Sequence, residues 1–403
     1  MSSMRVLVAG GGIGGLCVAQ GLKKAGIDCE VYEAAPGLVQ GGYRLHMNVL
    51  GGDALRDCLP DGLYELYLQT SRRTPRREVS VMVDAQANEI WARPHVGPPN
   101  DSPRPHTAVN RRTLRQILAT GLDDQLHFGR SAVGFETDDD GVTLLLDDGS
   151  RVRGDVVIGA DGIHSRIRRQ LLPDVREVDT GMRGMWSIAP LTDELAAQLP
   201  DVFYDGFVIV NLGDGTILAL GVYDPRRPVA EAVAELAPGA HIDDVAPYVM
   251  VTYGNDMGAA PGDDLPDFAH DSPAVLHDAL RRAARGGHPG LVALVDGVDE
   301  STIAPSAVRH LEVADPWAPS RVTLLGDAIH AMPPTFGAGA NSALRDAAAL
   351  TKALQDVVSD GRDLLEAIGD YERQMREEVF PIMRASADPD AVHADTLPEE
   401  ARR

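Results

Sequence analysis

Residues 6–15 read VLVAGGGIGG, four apolar residues that run into a turn rich in glycine. A short apolar run of this kind is typical of a buried parallel strand. Helical periodicity follows from Leu16 to Lys24, Gly26 ends it, and Cys29–Glu33 has the pattern of a second strand. The N-terminal segment therefore predicts a strand–helix–strand unit of an α/β domain.

The glycines of this turn, Gly10, Gly12 and Gly15, have the spacing GxGxxG. The first permits a tight bend, the second lets a pyrophosphate approach the backbone, and the third lets helix and strand pack closely. The N-terminus of the helix then presents unpaired N–H groups to the phosphates. Glu33 ends the second strand, where a carboxylate can bind a ribose diol. The unit predicts a Rossmann-like dinucleotide site. It does not distinguish NAD from FAD as the bound dinucleotide.

The net charge of the 403-residue chain is −23, from 37 Lys and Arg against 60 Asp and Glu. The resulting field repels polyanions, which argues against a surface for nucleic acid or anionic membranes. No apolar run approaches the roughly 20 residues that a membrane-spanning helix needs. We therefore expect small-molecule partners and a monomer or weak homodimer, and the length favours two closely packed lobes.

Three cysteines, Cys17, Cys29 and Cys58, are an odd number without CxxC spacing. We expect buried, reduced thiols in a cytoplasmic protein; the alternative is a covalent cofactor link or a redox cysteine. No group of histidine, cysteine and acidic residues has the spacing of metal ligands, so no metal site is predicted.

The pattern along the chain divides between two lobes. Prolines interrupt residues 72–105. Residues 181–309 alternate strand-like segments with loops rich in proline and glycine. The expected fold class is α/β, with an interleaved, mostly antiparallel β-sheet domain of α+β type and long C-terminal helices. The predicted units are a discontinuous dinucleotide-binding domain (1–71, 106–180 and 310–385), a substrate domain (72–105 and 181–309) and a polar tail (386–403).

A second glycine-rich helix start lies far along the chain. An apolar strand at Val322–Leu325 is closed by Gly326 and Asp327, and a loop of small residues leads into a helix that starts near Asn341. The partial positive charge of a helix N-terminus suits a flat heterocycle that becomes anionic on reduction, as isoalloxazine does. Asp327 could bind a hydroxyl of a ribityl chain, which favours FAD. In the alternative, the glycines only let helices pack and Asp327 is an N-cap.

Three blocks carry a family resemblance: residues 10–15 (GGGIGG), 155–168 (DVVIGADGIHSRIR) and 326–334 (GDAIHAMPP). They resemble the dinucleotide, DG and GD fingerprints of the single-component (class A) FAD-dependent monooxygenases, the para-hydroxybenzoate hydroxylase type. Residues 110–115 (NRRTLR) and 332–334 (MPP) resemble the compact branch that inactivates tetracyclines. The resemblance implies non-covalently bound FAD.

The resemblance also implies roles for single residues. Glu33 would bind the adenosine ribose, Arg111 the pyrophosphate or the ribityl region, and Asp327 the ribityl chain. Asp161 would support the DG turn, between FAD and an approaching nicotinamide cofactor. The complete set of expected cofactor-binding residues is Gly10, Gly12, Ile13, Gly14, Gly15, Glu33, Arg44, Arg111, Asp161, Asp327, Pro334, Gly337, Gly339, Ala340 and Asn341.

Two residues of this set would also take part in catalysis. Arg44 would contact isoalloxazine or substrate, and Pro334 would border the flavin face where oxygen reacts. Gly339, Ala340 and Asn341 would meet the N1/C2 edge of the flavin. The family often has glutamine where Ala338 stands, so one side-chain contribution to that loop is absent.

The implied reaction reduces FAD with NAD(P)H, captures O2 as the C4a-hydroperoxide and hydroxylates a small organic substrate, aromatic or polyketide-like, a role found in secondary metabolism. An NAD(P)H-dependent flavin reductase and a non-catalytic flavin- or drug-binding protein are the alternatives. A flavin halogenase is excluded because its catalytic lysine is missing: no lysine occurs between Ala25 and Thr351. Arginines for binding NAD(P)H occur at positions 72, 73, 76, 77, 111, 112, 115, 166, 168 and 169.

Overall fold

The computed structural model describes residues 4–38, 42–99, 106–213, 215–256 and 265–390. Its strands are β1 (Arg5–Ala9), β2 (Asp28–Glu33), β3 (Arg44–Met47), β4 (Val79–Asp84), β5 (Glu89–Pro94), β6 (Thr107–Asn110), β7 (Leu126–Phe128), β8 (Ala132–Asp138), β9 (Gly141–Leu146), β10 (Arg151–Gly154), β11 (Val156–Gly159), β12 (Glu177–Pro190), β13 (Phe207–Gly213), β14 (Thr216–Tyr223), β15 (Tyr248–Asn255), β16 (Ala304–Leu311) and β17 (Val322–Leu324).

The α-helices in the same part of the chain are α1 (Ile13–Lys24), α2 (Val49–Cys58), α3 (Asp61–Thr70), α4 (Arg111–Ala119), α5 (Arg166–Leu171), α6 (Asp193–Ala196), α7 (Val229–Leu236), α8 (Pro273–Ala283), α9 (Pro289–Asp296), α10 (Asp327–His330), α11 (Gly339–Asp360) and α12 (Leu364–Ser386). The last two are the expected long C-terminal helices. None of the described helices is both long enough and apolar enough to cross a membrane.

A parallel sheet of five strands, in the order β17-β11-β1-β2-β7, forms the first layer. Strand β1 lies at its centre and pairs in parallel with both β2 and β11. The centre is buried on both faces, which explains the continuous apolar run at residues 6–9. The predicted strand–helix–strand unit is confirmed, with α1 beginning at Ile13 and so three residues before the predicted start.

The second layer is a seven-stranded sheet in the order β16-β12-β15-β14-β13-β4-β5. Its neighbours are antiparallel except β13 and β4, which run parallel, so the expectation of a mostly antiparallel sheet is confirmed. Strands β12 and β16 extend across the predicted boundaries at 180/181 and 309/310. These two predicted boundaries therefore fall inside continuous strands of the seven-stranded sheet.

A two-stranded antiparallel ribbon, β3 with β6, packs against β14 of the seven-stranded sheet, and its strand β3 also packs against α11. A separate three-stranded antiparallel sheet has the order β10-β9-β8. The buried thiols of Cys17, Cys29 and Cys58 confirm the prediction of core cysteines. Helix α12 ends at Ser386, and residues 391–403 of the predicted tail lie outside the described residues.

Candidate active site

A cavity of about 880 Å³ lies where the parallel sheet, the ribbon and the seven-stranded sheet meet. Its walls come from both domains: the glycine turn after β1 on one side, the loop before α11 on another, and strands β13 to β15 on a third. Of the expected cofactor-binding residues, those that line it are Gly10, Gly12, Ile13, Gly14, Gly15, Glu33, Arg44, Arg111, Asp161, Asp327, Pro334, Gly337, Gly339 and Ala340.

The three glycines of the N-terminal turn have different surroundings. A Cβ atom at Gly10, whose φ is +110°, would overlap the backbone of Ala160, and a Cβ at Gly15 would overlap the carbonyl oxygen of Gly10. A Cβ at Gly12 would meet no protein atom within 4 Å. Gly10 and Gly15 therefore permit close backbone packing, whereas Gly12 borders open space inside the cavity at the N-terminus of α1.

Glu33 and Arg115 meet beside this turn. The backbone N–H of Gly11 donates to Oε2 of Glu33 at 2.6 Å, and Nη2 of Arg115 donates to the carbonyl oxygen of Gly11 at 2.8 Å. Arg115 is 2% exposed, and its Nη1 is buried without a hydrogen bond in the part of the chain that is described. A buried cation with an unused donor suits a phosphate.

The sequence predicts Arg115 only as one of ten arginines that could bind NAD(P)H. Arg111 also lines the cavity, with its guanidinium 5.5 Å from the ring centre of Tyr43. The two arginines are four residues apart in α4, so they share one helix face, and this spacing is the signal that could have identified Arg115.

The DG turn after β11 has the expected structure at Asp161. Its Oδ2 accepts from the backbone N–H of Arg166 at 2.8 Å and so caps α5, while its Oδ1 is buried and makes no hydrogen bond among the described residues. Asp161 therefore holds the turn in place, and the residue lines the cavity.

The GD turn after β17 is supported from behind by a buried carboxylate. Oδ2 of Asp346 accepts from the backbone N–H of Gly326 at 2.9 Å and lies 2.6 Å from Nε2 of His330. Burial alone would lower the pKa of His330, but the charge of Asp346 outweighs it and raises that pKa. This ion pair anchors the turn, and Asp327 beside it lines the cavity.

Asn341 is the one expected cofactor-binding residue that does not line the cavity. Its side-chain Oδ1 accepts from the backbone N–H of Asn48 at 3.0 Å, and its Nδ2 donates to the carbonyl oxygens of His46 and Gly337, both at 3.0 Å. The side chain thus joins the loop before α11 to the ribbon. Asn341 positions the loop, and its side chain is not available to a flavin edge.

Arg44 begins β3 and is 4% exposed. Its Nε donates to the carbonyl oxygen of Val222 at 3.2 Å and its Nη2 to that of Gly206 at 2.5 Å. Burial lowers the pKa of Arg44 to about 9, so the guanidinium still carries its charge at neutral pH. Two of its nitrogens are therefore bound to the seven-stranded sheet, and its contribution to the cavity is mainly a fixed positive charge.

Seven of the ten predicted arginines do not line the cavity and instead contact other residues of the protein; they are at positions 72, 73, 76, 77, 112, 168 and 169. Arg72 is buried and donates to backbone carbonyl oxygens at Tyr204 and Asp205, and Arg76 and Arg77 pair with the buried carboxylate of Asp205. These three arginines attach the segment before β4 to the segment before β13. Those that line the cavity are Arg111, Arg115 and Arg166.

The seven-stranded sheet presents alternate residues to the cavity. Along β13 and β14 the cavity is lined by Phe207, Ile209, Ile217 and Ala219. The residues between them, Val208, Val210, Leu218 and Leu220, are fully buried in a core shared with α8 and α9. This period of two is that of a strand with one face on the core and one on a chamber. The chamber wall is apolar, as expected for an organic ligand.

A family model described as FAD binding domain matches residues 3–203 and 285–381. The chain is a member of this FAD-binding family. The expected resemblance to class A FAD-dependent monooxygenases is thereby confirmed, and FAD is the cofactor. The observations above fit it: Gly12 leaves room for a pyrophosphate, and Arg115 and Asp161, which each have one buried polar atom without a hydrogen bond among the described residues, line the same cavity.

Relatives and solved structures agree with this assignment. The chain is 31% identical over 397 residues to a dual O-methyltransferase/FAD-dependent monooxygenase of Cercospora beticola, covering 93% of this chain and 44% of that protein. A crystal structure assigned as an FAD-containing monooxygenase of Photorhabdus luminescens has a TM-score of 0.78 and 32% identity, with 96% and 98% of the two chains covered.

The HpxO protein of Klebsiella pneumoniae, solved with FAD and uric acid, has a TM-score of 0.74 at 24% identity, covering 98% of this chain and 90% of that one. This likeness shows the fold. The chain spans about half the length of the first curated relatives it matches, with 44%, 44% and 46% of their sequences covered.

Proposed function

We propose that the protein is an NAD(P)H-dependent monooxygenase that inserts one oxygen atom from O2 into a small organic substrate, aromatic or polyketide-like, held against the seven-stranded sheet. The observation that carries the proposal is the continuity of the cavity. The glycine turns that would bind FAD and the apolar sheet face line the same space, so a flavin and a substrate could lie in contact.

FAD, when bound, supplies the electron transfer and the activation of oxygen. The residues of this chain bind and orient it. The N-terminus of α1 and the guanidinium of Arg115 would hold the pyrophosphate, Glu33 the adenosine ribose, and Asp327 the ribityl chain. The N-terminus of α11, at Gly339, would place its partial positive charge against the edge that becomes anionic on reduction.

The apolar sheet face would also protect the activated oxygen from water. Side chains such as Phe207 and Ile209 exclude water from the space beside the flavin, which disfavours loss of the activated oxygen to solvent. Arg44 adds a fixed positive charge to this space, which would attract an electron-rich or anionic substrate. NAD(P)H would bind transiently, with Arg166 at the cavity wall as the cation for its phosphates.

The test is NAD(P)H oxidation by the FAD-loaded protein, with and without a panel of phenols and polyketide-like compounds. Substrate-stimulated oxidation together with a product heavier by one oxygen atom supports the proposal. Oxidation without an oxygenated product indicates a reductase, and FAD binding without any oxidation indicates a binding protein. Either of these two results contradicts the proposal.

A further inference from the structure

One end of the cavity contains a cluster of buried ionisable side chains that the proposed function does not use. His46 comes from β3, Glu78 immediately precedes β4, and His95 immediately follows β5. Their side chains are 7%, 9% and 6% exposed. His46 and His95 both line the cavity, whereas Glu78 lies behind them. We call these three residues the His–Glu corner.

The geometry within the corner brings the two rings to one carboxylate. Nε2 of His95 is 3.2 Å from Oε1 of Glu78, and Nδ1 of His46 is 3.7 Å from the same oxygen. The two rings stack with their centres 3.9 Å apart. Gly206 makes this approach possible, since a Cβ there would lie 2.6 Å from Nε2 of His95 and 3.0 Å from Oε1 of Glu78.

The polar atoms of the corner are only partly satisfied by the protein. Nε2 of His95 and Oε1 of Glu78 face each other at 3.2 Å, whereas both ring nitrogens of His46 are buried and make no hydrogen bond to any described residue. A buried polar atom without a partner is costly because it has lost its hydration and gained no hydrogen bond. Since His46 lines the cavity, its two unmet nitrogens indicate that a polar group can be received beside it.

We propose that His95, held by Glu78, is the general base that accepts the proton of an ionisable O–H or N–H group on the substrate. With Nε2 turned toward Glu78, Nδ1 is the ring nitrogen that takes the proton. The substrate O–H or N–H bond breaks, its electron pair stays on the substrate, and the new N–H bond forms on His95. This inference rests on the proposed function, and it narrows the substrates to compounds with an acidic hydroxyl or ring N–H.

The protonation states suit a base beside a carboxylate. Burial lowers the pKa of His95 more than the nearby Glu78 raises it, so the ring is neutral at neutral pH. Burial would raise the pKa of Glu78, but His95 and the surrounding positive charges together lower it, so the carboxylate is ionised. The ionisable groups that act on the two are His46, His106, Arg44 and Arg72.

A bound metal ion is the other occupant that this geometry suggests, since ligand atoms of His46, Glu78 and His106 lie within 4.8 Å of one another. The surrounding positive charge argues against a metal ion. It also opposes a charged His95, which Glu78 and the substrate anion would offset. Arg44 and Arg72 are buried guanidinium groups whose charges act on Glu78, and they would repel a divalent cation. A substrate anion left by proton transfer is stabilised by the same two charges.

The experiment uses FAD-loaded protein and 4-nitrophenol, whose phenol and phenolate forms have different visible spectra. On wild-type protein, the phenolate form of the bound probe should appear at a pH at least about one unit below that of the free probe. His95→Gln should abolish this shift, and Glu78→Gln should reduce it because the imidazolium loses its counter-charge. His241→Gln, an exposed histidine outside the cavity, is the matched control and should keep it.

FAD content per chain shows whether each variant is folded, and metal analysis of the purified protein accompanies the titration. An unchanged shift in a folded His95→Gln protein, absence of nitrophenol binding to the wild type, or one metal ion per chain would each overturn the proposal. A shift that depends on His95 in a protein that shows no NAD(P)H oxidation would keep this inference and contradict the proposed function, so the two can fail separately.

Discussion

Alanine at two glycines of the same turn should affect different properties: the stability of the apo protein at Gly15 and the affinity for FAD at Gly12. In Gly15→Ala, the new Cβ would lie closer than 3.0 Å to the carbonyl oxygen of Gly10, a rigid backbone atom, so strand and helix must separate. Overpacking of this kind costs 1–3 kcal/mol, and a backbone contact favours the upper end, about 3 kcal/mol. With an unfolding entropy of about 2.1 cal/mol/K per residue over 403 residues, the apo protein should lose about 3–4 °C in Tm.

In Gly12→Ala, the Cβ meets no protein atom within 4 Å, and φ of −73° is ordinary for alanine. Apo stability should therefore change by less than about 1 kcal/mol. The Cβ would instead fill the place of the pyrophosphate and remove charge-assisted hydrogen bonds worth about 1.5–3 kcal/mol, so the Kd for FAD should rise about 10- to 150-fold.

Differential scanning fluorimetry of the apo proteins and fluorescence titration with FAD measure the two effects. Each variant is the control for the other, because the substitution and the turn are the same. If Gly12→Ala bound FAD as tightly as the wild type, the pyrophosphate would not lie at this glycine. A Gly15→Ala protein with an unchanged Tm would refute the packing argument.

Three further substitutions test the rest of the site and one buried acid. Asp327→Ala should weaken FAD retention at least tenfold with the apo Tm unchanged, by dialysis and absorbance, and equal retention would count against a ribityl contact. Asn341→Ala leaves buried partners at Asn48, His46 and Gly337 unmet, so the apo protein should lose about 3 kcal/mol in urea unfolding; a loss below 1 kcal/mol would show that the loop holds without it. Burial raises the pKa of Glu372 from 4.5 to about 7, so the folded state binds a proton that the unfolded state has released, and stability falls by about 2–3 kcal/mol as pH rises through that window. Glu372→Gln should flatten the profile of unfolding free energy between pH 5 and 8 by this amount, and an unchanged slope would contradict the assignment.

The local parts of the fold were predictable because their signals are local. The apolar run at residues 6–9, the GxGxxG spacing and the carboxylate at Glu33 lie within one strand–helix–strand unit, and each has one physical reason. The predicted boundaries at 180/181 and 309/310 fall inside β12 and β16, because the sequence pattern does not show where a long strand of one sheet begins or ends.

The long-range parts of the site could not be read from spacing. Asn341 stands at the expected place in its loop, but its partner Asn48 is 293 residues away, and nothing near either residue indicates the pairing. The His–Glu corner is assembled from the ends of three strands, so no motif joins His46, Glu78 and His95. Such clusters become visible only when the register of the strands is known.

The alternation along β13 and β14 has a consequence for how such an enzyme can change. Phe207, Ile209, Ile217 and Ala219 face the chamber, while every residue between them belongs to the core. Mutations that enlarge or reshape the chamber can therefore accumulate at alternate positions with little loss of stability. A library restricted to these four sites would explore new substrates while the protein stays folded, whereas the same diversity shifted by one residue would yield mostly unfolded chains.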